Sequence, residues 1–187
     1  MPKITSSTTV SPNYVHMPWP SIPDEMRGRL VEYTKNTPII GDGVAGGRLI
    51  EGIPVYGIVR PPKYLTKWVE ENIPLKDHFL GIQRFYGMED VRIHIDSIRE
   101  YCFNCLLTDT GPVTSFYDNN KKIVESVTYQ QNEWYRHETK RYHGVTGIPE
   151  PYRISITMFK VDLQQTGALR SEGKAFVQAV SVFPPKK

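Results

Sequence analysis

His94-Ile95-Asp96, a later His143 and the run Arg153-Ile154-Ser155 are the residues whose types and order could do chemistry together. Two imidazoles and one carboxylate can occupy one face of an octahedral metal ion and leave the opposite positions open. A guanidinium donates two parallel hydrogen bonds to a carboxylate, and a nearby hydroxyl can add a third. Arg153 stands ten residues beyond His143, and Ser155 supplies that hydroxyl. The chemistry implied is a cation held by side chains, with an anionic organic molecule anchored beside it.

The strands that must carry these groups show in the alternation of apolar and polar residues. Val91-Arg92-Ile93-His94-Ile95-Asp96 alternates with a period of two, so His94 and Asp96 share one face and Ile93 and Ile95 the other. Tyr152 to Phe159 alternates again, with Arg153, Ser155 and Thr157 opposite Ile154, Ile156 and Met158. A guanidinium on a strand that is otherwise apolar is expensive to bury without an anionic partner. Between the two lies His143-Gly144-Val145, followed by Thr146-Gly147-Ile148-Pro149, which reads as a turn. His16 and His78 have no partners at ligand spacing.

Further out, the chain divides into an arm (1–20), a helical support region (21–77), a strand-rich core (78–160) and a C-terminal extension (161–187). All of these are expected to form a single domain. The arm is polar, contains proline and has no periodicity. Helices are predicted from Pro23 to Thr34, with Met26, Leu30 and Tyr33 at helical spacing, and from Pro61 to Asn72, with Leu65, Trp68 and Val69 on one stripe. Strands are predicted at 78–86, 91–96, 99–108, 112–117, 123–130, 142–146 and 152–160, separated by turn residues such as Asp118-Asn119-Asn120. Residues 175–183 suit a strand or a helix. Two helices and seven or eight short strands fit a mainly β jelly-roll sandwich with helices packed on one sheet.

The ordered set His94-x-Asp96, His143, Arg153-x-Ser155 resembles the Fe(II)/2-oxoglutarate-dependent dioxygenase superfamily, from the strand before His94 to the strand carrying Arg153. That resemblance implies a double-stranded β-helix, the cupin-like jelly roll, with two or more N-terminal helices on one sheet. It implies Fe(II) held by His94, Asp96 and His143, with 2-oxoglutarate as co-substrate and its distal carboxylate on Arg153 and Ser155. It further implies O2 as oxidant, release of succinate and CO2, and no catalytic side chain beyond the metal site. Halogenases of the superfamily lack the carboxylate, so Asp96 points to hydroxylation or a related oxidation. His137 competes with His143 as the third ligand, but it lies six residues too far from Arg153. His143 also has the Gly-Val neighbourhood usual in the family, so His137 is read as a surface residue or one behind the ligands.

The substrate expected is a small molecule, an amino acid or a peptide side chain, because the chain leaves no room for an accessory recognition domain. Arg99, Tyr101 and Asn104 follow the His-x-Asp strand, but none is assigned a role. Segment 118–141 reads equally as a substrate lip or as an ordinary hairpin. The alternatives are a cupin-like metal enzyme that does not use 2-oxoglutarate, with His137 as an extra ligand, and a non-catalytic jelly-roll binding or structural protein.

Composition excludes several other classes. A net charge of +3 without a Lys/Arg cluster gives no reason to expect a nucleic-acid partner. No apolar run reaches membrane-spanning length and the N-terminus lacks a basic-then-apolar leader, so a cytoplasmic address is expected. Cys102 and Cys105 are three apart on a predicted strand and so face opposite ways, as buried free thiols rather than a zinc knuckle or a disulfide. Gly41-Asp42-Gly43-Val44-Ala45-Gly46 matches the dinucleotide fingerprint, but the stretch after it is broken by glycine and proline and rich in β-branched residues. It opens no helix, as that fingerprint requires.

Overall fold

A computed structural model describes residues 13–39, 49–50, 53–54, 56–86, 90–96, 99–108, 111–148 and 152–160. Its elements run β1 (Tyr14–Met17), α1 (Asp24–Asn36), β2 (Leu49–Ile50), β3 (Ile53–Pro54), β4 (Tyr56–Val59) and α2 (Lys63–Asn72). Then follow β5 (Phe79–Tyr86), β6 (Val91–His94), β7 (Tyr101–Leu106), β8 (Val113–Tyr117), β9 (Ile123–Thr128), β10 (Trp134–Glu138), β11 (Tyr142–Thr146) and β12 (Tyr152–Phe159).

Both predicted helices form, each opened by proline, whose missing N–H costs nothing in a first turn. Pro23 precedes α1, whose Asp24 and Glu25 lie in the first turn and Lys35 in the last, matching the helix dipole. Leu65 and Val69, four apart on α2, are both buried. No helix among the described residues is long and apolar enough to cross a membrane.

The strands make a six-stranded sheet, β1-β10-β7-β12-β5-β4, and a four-stranded sheet, β6-β11-β8-β9. From β5 to β12 the chain alternates between the two, except that β8 and β9 form a hairpin within the smaller one. Every pairing among these strands is antiparallel. The result is the expected double-stranded β-helix.

The alternation along β12 decides where the core lies. Ile154, Ile156 and Met158 pack with Leu80, Ile82, Phe103, Cys105 and Trp134 against Leu30, Leu65 and Val69 of the helices. The largest apolar cluster therefore sits between the helices and the outer face of the larger sheet. On the inner face Arg153, Ser155, Thr157, Asn104 and His137 are all buried, and a smaller aromatic group of Phe116, Tyr129 and Tyr135 bridges to the other sheet. Trp134 is fully buried, donates its indole N–H to the Pro20 carbonyl at 3.1 Å and packs edge-on to Trp19. Trp134→Ala is expected to cost roughly 3–5 kcal/mol, read as a lowered urea midpoint. A midpoint within error of wild type would place the core elsewhere.

Five strands fall outside the sequence expectation: β1 in the arm, β2, β3 and β4 in the stretch read as helical support, and β10. The arm is not irregular throughout, since Tyr14–Met17 pairs with β10 from Tyr14↔His137 to Met17↔Trp134. Segment 118–141 is more than a lip or a hairpin tip, because β10 within it lies inside the larger sheet between β1 and β7. The glycine run 41–46 and the extension 161–187 lie outside the described residues.

Candidate metal centre

His94 ends β6, Asp96 follows two residues later, and β11 pairs with β6 so that His143 stands directly opposite His94. Pairing of this kind brings side chains on one face close together, and the two imidazole centroids are 4.3 Å apart. Asp96 Oδ1 lies 3.8 Å from His94 Nε2 and Asp96 Oδ2 lies 3.9 Å from His143 Nε2. The three donor atoms all fall within 4.8 Å of one another. At bond lengths of about 2.1 Å, adjacent ligands on an octahedral cation stand about 3 Å apart, so small side-chain movements bring this set onto one ion.

The imidazoles are oriented for that use. His94 Nδ1 lies 2.8 Å from the Arg92 carbonyl and His143 Nδ1 lies 2.9 Å from the Arg141 carbonyl. A carbonyl only accepts, so each ring carries its proton on Nδ1 and presents an Nε2 lone pair to the shared space. Burial lowers the pKa of His143, favouring the neutral, ligating form. His94 keeps about 40% of its side chain exposed and Asp96 about 16%, so the group opens to solvent on the β6 side.

Gly144 makes the close approach of β6 possible. A Cβ there would stand 2.9 Å from the Val91 carbonyl oxygen, a backbone atom that cannot turn aside. Gly144→Ala is expected to push β6 away from β11, at a cost of roughly 1–3 kcal/mol. Separation of His94 from His143 should show as weakened Co(II) binding alongside the lowered thermal midpoint. Unchanged Co(II) affinity would mean that the spacing of the two strands does not control the site.

Below these three residues the interior is polar. Arg153 is buried, with its guanidinium carbon 5.2 Å from the Phe85 ring centroid. Ser155 donates to Gln83 Oε1 at 3.4 Å. Among the described residues, Thr157 Oγ1 and Asn104 Oδ1 are buried without a hydrogen-bond partner, and the two residues face each other across β12 and β7. Native interiors seldom leave such atoms unsatisfied. A lining of guanidinium, hydroxyls and orphaned polar atoms is thus suited to a polar organic guest, and it fits a dicarboxylate with its charge on Arg153.

His137 is not a surface residue. It is buried, 5.8 Å from the His143 ring between centroids. Burial, reinforced by the electrostatic influence of the neighbouring His143, Arg99 and Arg153 side chains, drives its pKa well below the ordinary value. The Tyr129 hydroxyl lies 3.1 Å from its Nδ1 and Cys102 Sγ lies 3.0 Å from its Nε2. The Asn104 amide nitrogen, which only donates, also lies 3.3 Å from Nδ1, so Nδ1 accepts and the ring proton on Nε2 points at the sulfur.

Both cysteines are free and buried, on opposite faces of β7 as expected, with Cys105 in the outer core and Cys102 inside. Burial pushes the Cys102 thiol up to about 11 and raises Cys105 as well. The folded chain therefore keeps protons that the unfolded chain releases from about pH 9 upward. Stability is expected to be complete below that pH and to fall as pH rises towards 11, read as a lower urea midpoint at pH 10 than at pH 8. Equal midpoints would contradict the burial of these groups.

Arg99 and Thr139 also belong to the site and were not assigned from sequence. Arg99 Nε donates to Asp96 Oδ2 at 2.7 Å. The available signal was a basic residue three positions after Asp96, which is too common a pattern to interpret by itself.

No protein-family model matches the chain, and no curated protein matches it. Several solved structures share its fold. The chain is similar to a prolyl hydroxylase from Trichoplax adhaerens, solved with a hypoxia-inducible-factor peptide, at 15% identity and a TM-score of 0.56 over 86% of this chain and 88% of that one. It is similar to a Pseudomonas putida prolyl-4-hydroxylase at 14% identity, with a TM-score of 0.54 over 80% and 92% of the two chains. A Burkholderia pseudomallei oxidoreductase of the 2OG-Fe(II) oxygenase family aligns at 12% identity, with a TM-score of 0.53 over 79% and 83%. At these identities the likeness is one of fold.

Proposed function

We propose that this chain is a non-haem Fe(II)- and 2-oxoglutarate-dependent oxygenase that hydroxylates a small molecule, an amino acid or a peptide side chain, with release of succinate and CO2. The observation that carries the reading is the convergence of His94 Nε2, His143 Nε2 and the Asp96 carboxylate within 4.8 Å, on the fold that such oxygenases use. His94, Asp96 and His143 would hold the metal. Arg153 would take the distal carboxylate of 2-oxoglutarate, supported by Ser155. When bound with the co-substrate and O2, Fe(II) supplies the oxidising power for attack on an unactivated C–H bond.

The chain contributes orientation and shelter. The Arg92 and Arg141 carbonyls fix both imidazoles in one tautomer and one rotation. The buried guanidinium anchors one end of the dicarboxylate while the metal ligands mark the other, so the co-substrate is registered at two points. The buried Phe116, Tyr129 and Tyr135 would help to keep water out of the interior. A peptide is an admissible substrate on this reading, since one fold neighbour was solved with one.

The cupin-like alternative would recruit His137 as a further ligand. Its Nε2 is instead directed at Cys102 Sγ, and the donor group found among the described residues comprises His94, Asp96 and His143 alone. The experiment that tests the proposal is an anaerobic titration with Fe(II) and 2-oxoglutarate, followed by the weak visible charge-transfer band of the chelate. A band that disappears in His143→Ala and in Arg153→Ala supports the assignment. Metal binding without the band favours the cupin alternative, and absence of metal binding favours a binding or structural protein.

A further inference from the structure

We infer that Arg99 is a positioning residue for the metal centre, holding Asp96 by Oδ2 so that Oδ1 is the oxygen left for a cation. The inference rests on the metal-binding reading above and adds to it a cause for how the carboxylate is presented.

The pair is sheltered and short. Arg99 Nε to Asp96 Oδ2 is 2.7 Å, with only 12% and 16% of the two side chains exposed. Exposed ion pairs hold their geometry poorly, but this one is fixed from two further directions. The guanidinium lies over the ring of Phe159, its carbon 4.7 Å from the centroid, and Phe159 is itself buried at the end of β12. The backbone around the pair is bound to Thr139, which is fully buried between β10 and β11. Asp96 N–H donates to the Thr139 carbonyl at 3.0 Å, Thr139 N–H donates to the Glu100 carbonyl at 2.8 Å, and Thr139 Oγ1 donates to the Arg99 carbonyl at 2.7 Å. Thr139 stands four residues before His143, so the segment that carries one ligand clamps both ends of the segment that carries another. The Arg99–Asp96 geometry is thus set by the fold before any cation arrives.

The chemical effect follows from how carboxylates bind metals. A carboxylate with both oxygens available can chelate and so take two positions of an octahedral cation. One oxygen occupied by a guanidinium leaves a single-oxygen ligand. Two imidazoles and one oxygen then leave three positions, enough for a two-point co-substrate and an oxygen molecule. Arg99 also balances the Asp96 charge, so the chain offers a donor set that is close to neutral overall.

The test is Co(II) binding to the metal-free protein, followed by its visible spectrum, in wild type, Arg99→Met, Arg99→Lys and His143→Ala. Arg99→Met keeps a stem over Phe159 and removes the donors and the charge. Its Co(II) affinity is expected to fall roughly 10–100-fold, and the visible band is expected to change shape as the second carboxylate oxygen is released. Arg99→Lys, which restores the charge without the fork, is expected to recover part of the affinity and to guard against misfolding of the methionine variant. Affinity and band equal to wild type in both Arg99 variants, with binding lost in His143→Ala, would overturn the role of Arg99 and leave the metal centre standing. Binding that survives His143→Ala unchanged would overturn the metal centre itself.

Discussion

His143→Ala is expected to abolish Fe(II)-dependent consumption of 2-oxoglutarate and to lower affinity for Fe(II) by more than the 10–100-fold typical of residues that act from behind the ligands. His143 is the most buried of the three donors and the one whose neutral form is favoured by burial. It is also central in its sheet, bonded to β6 on one side and β8 on the other. Alanine therefore removes a buried donor from the set of three. The cleanest readout is thermal. At a metal concentration about 100 times the dissociation constant, the folded state gains about 2.7 kcal/mol. For a chain of this size that gain raises the unfolding midpoint by roughly 5–10 °C. Wild type should show this rise on adding Fe(II) or Co(II), and His143→Ala should show none. An equal rise in the variant would remove His143 from the ligand set.

The second large effect is expected at Arg153. Truncating one partner of a buried charge pair costs about 2–5 kcal/mol, so Arg153→Met should weaken 2-oxoglutarate binding by roughly thirtyfold to several thousandfold while metal affinity is retained. Lysine is not a substitute here, because the two-pronged fork and the stacking over Phe85 belong to the guanidinium. Arg153→Lys should fall between wild type and methionine. Competition binding of 2-oxoglutarate against Co(II)-loaded protein measures both variants. An unaltered affinity in Arg153→Met would move the carboxylate anchor to another residue and reopen the cupin alternative.

The site was more legible in the sequence than the sheet that supports it. His94, Arg153 and Ser155 lie on strands whose alternation is regular, and Asp96 keeps the same period just past the end of β6, so their shared faces followed from the period alone. β10 gave no such pattern. In Trp134-Tyr135-Arg136-His137-Glu138 one face meets the outer core through Trp134, while the other presents Tyr135 and His137 to a polar interior. A strand with a polar buried face resembles a loop, so the sequence left His137 open between the surface and a place behind the ligands, and the structure removes the first. β1 was missed because its order comes from pairing with β10 rather than from its own four residues. Arg99 and Thr139 act through backbone and charge contacts between segments distant in the chain, and no local period reports those.

The larger sheet has its oily face turned outward beneath the helices and its polar face turned inward. On the proposed function, durability and chemistry are housed on opposite sides of the same strands, at alternating positions. A lineage built on this plan can exchange one guest for another by changing Asn104, Thr157 or their inward neighbours without repeating the search for a foldable sequence. A mutant library confined to those inward positions should retain a larger share of folded members than one of equal size spread over Ile154, Ile156 and Met158. Evolution of new substrates would then be limited by the geometry of the mouth rather than by survival of the scaffold.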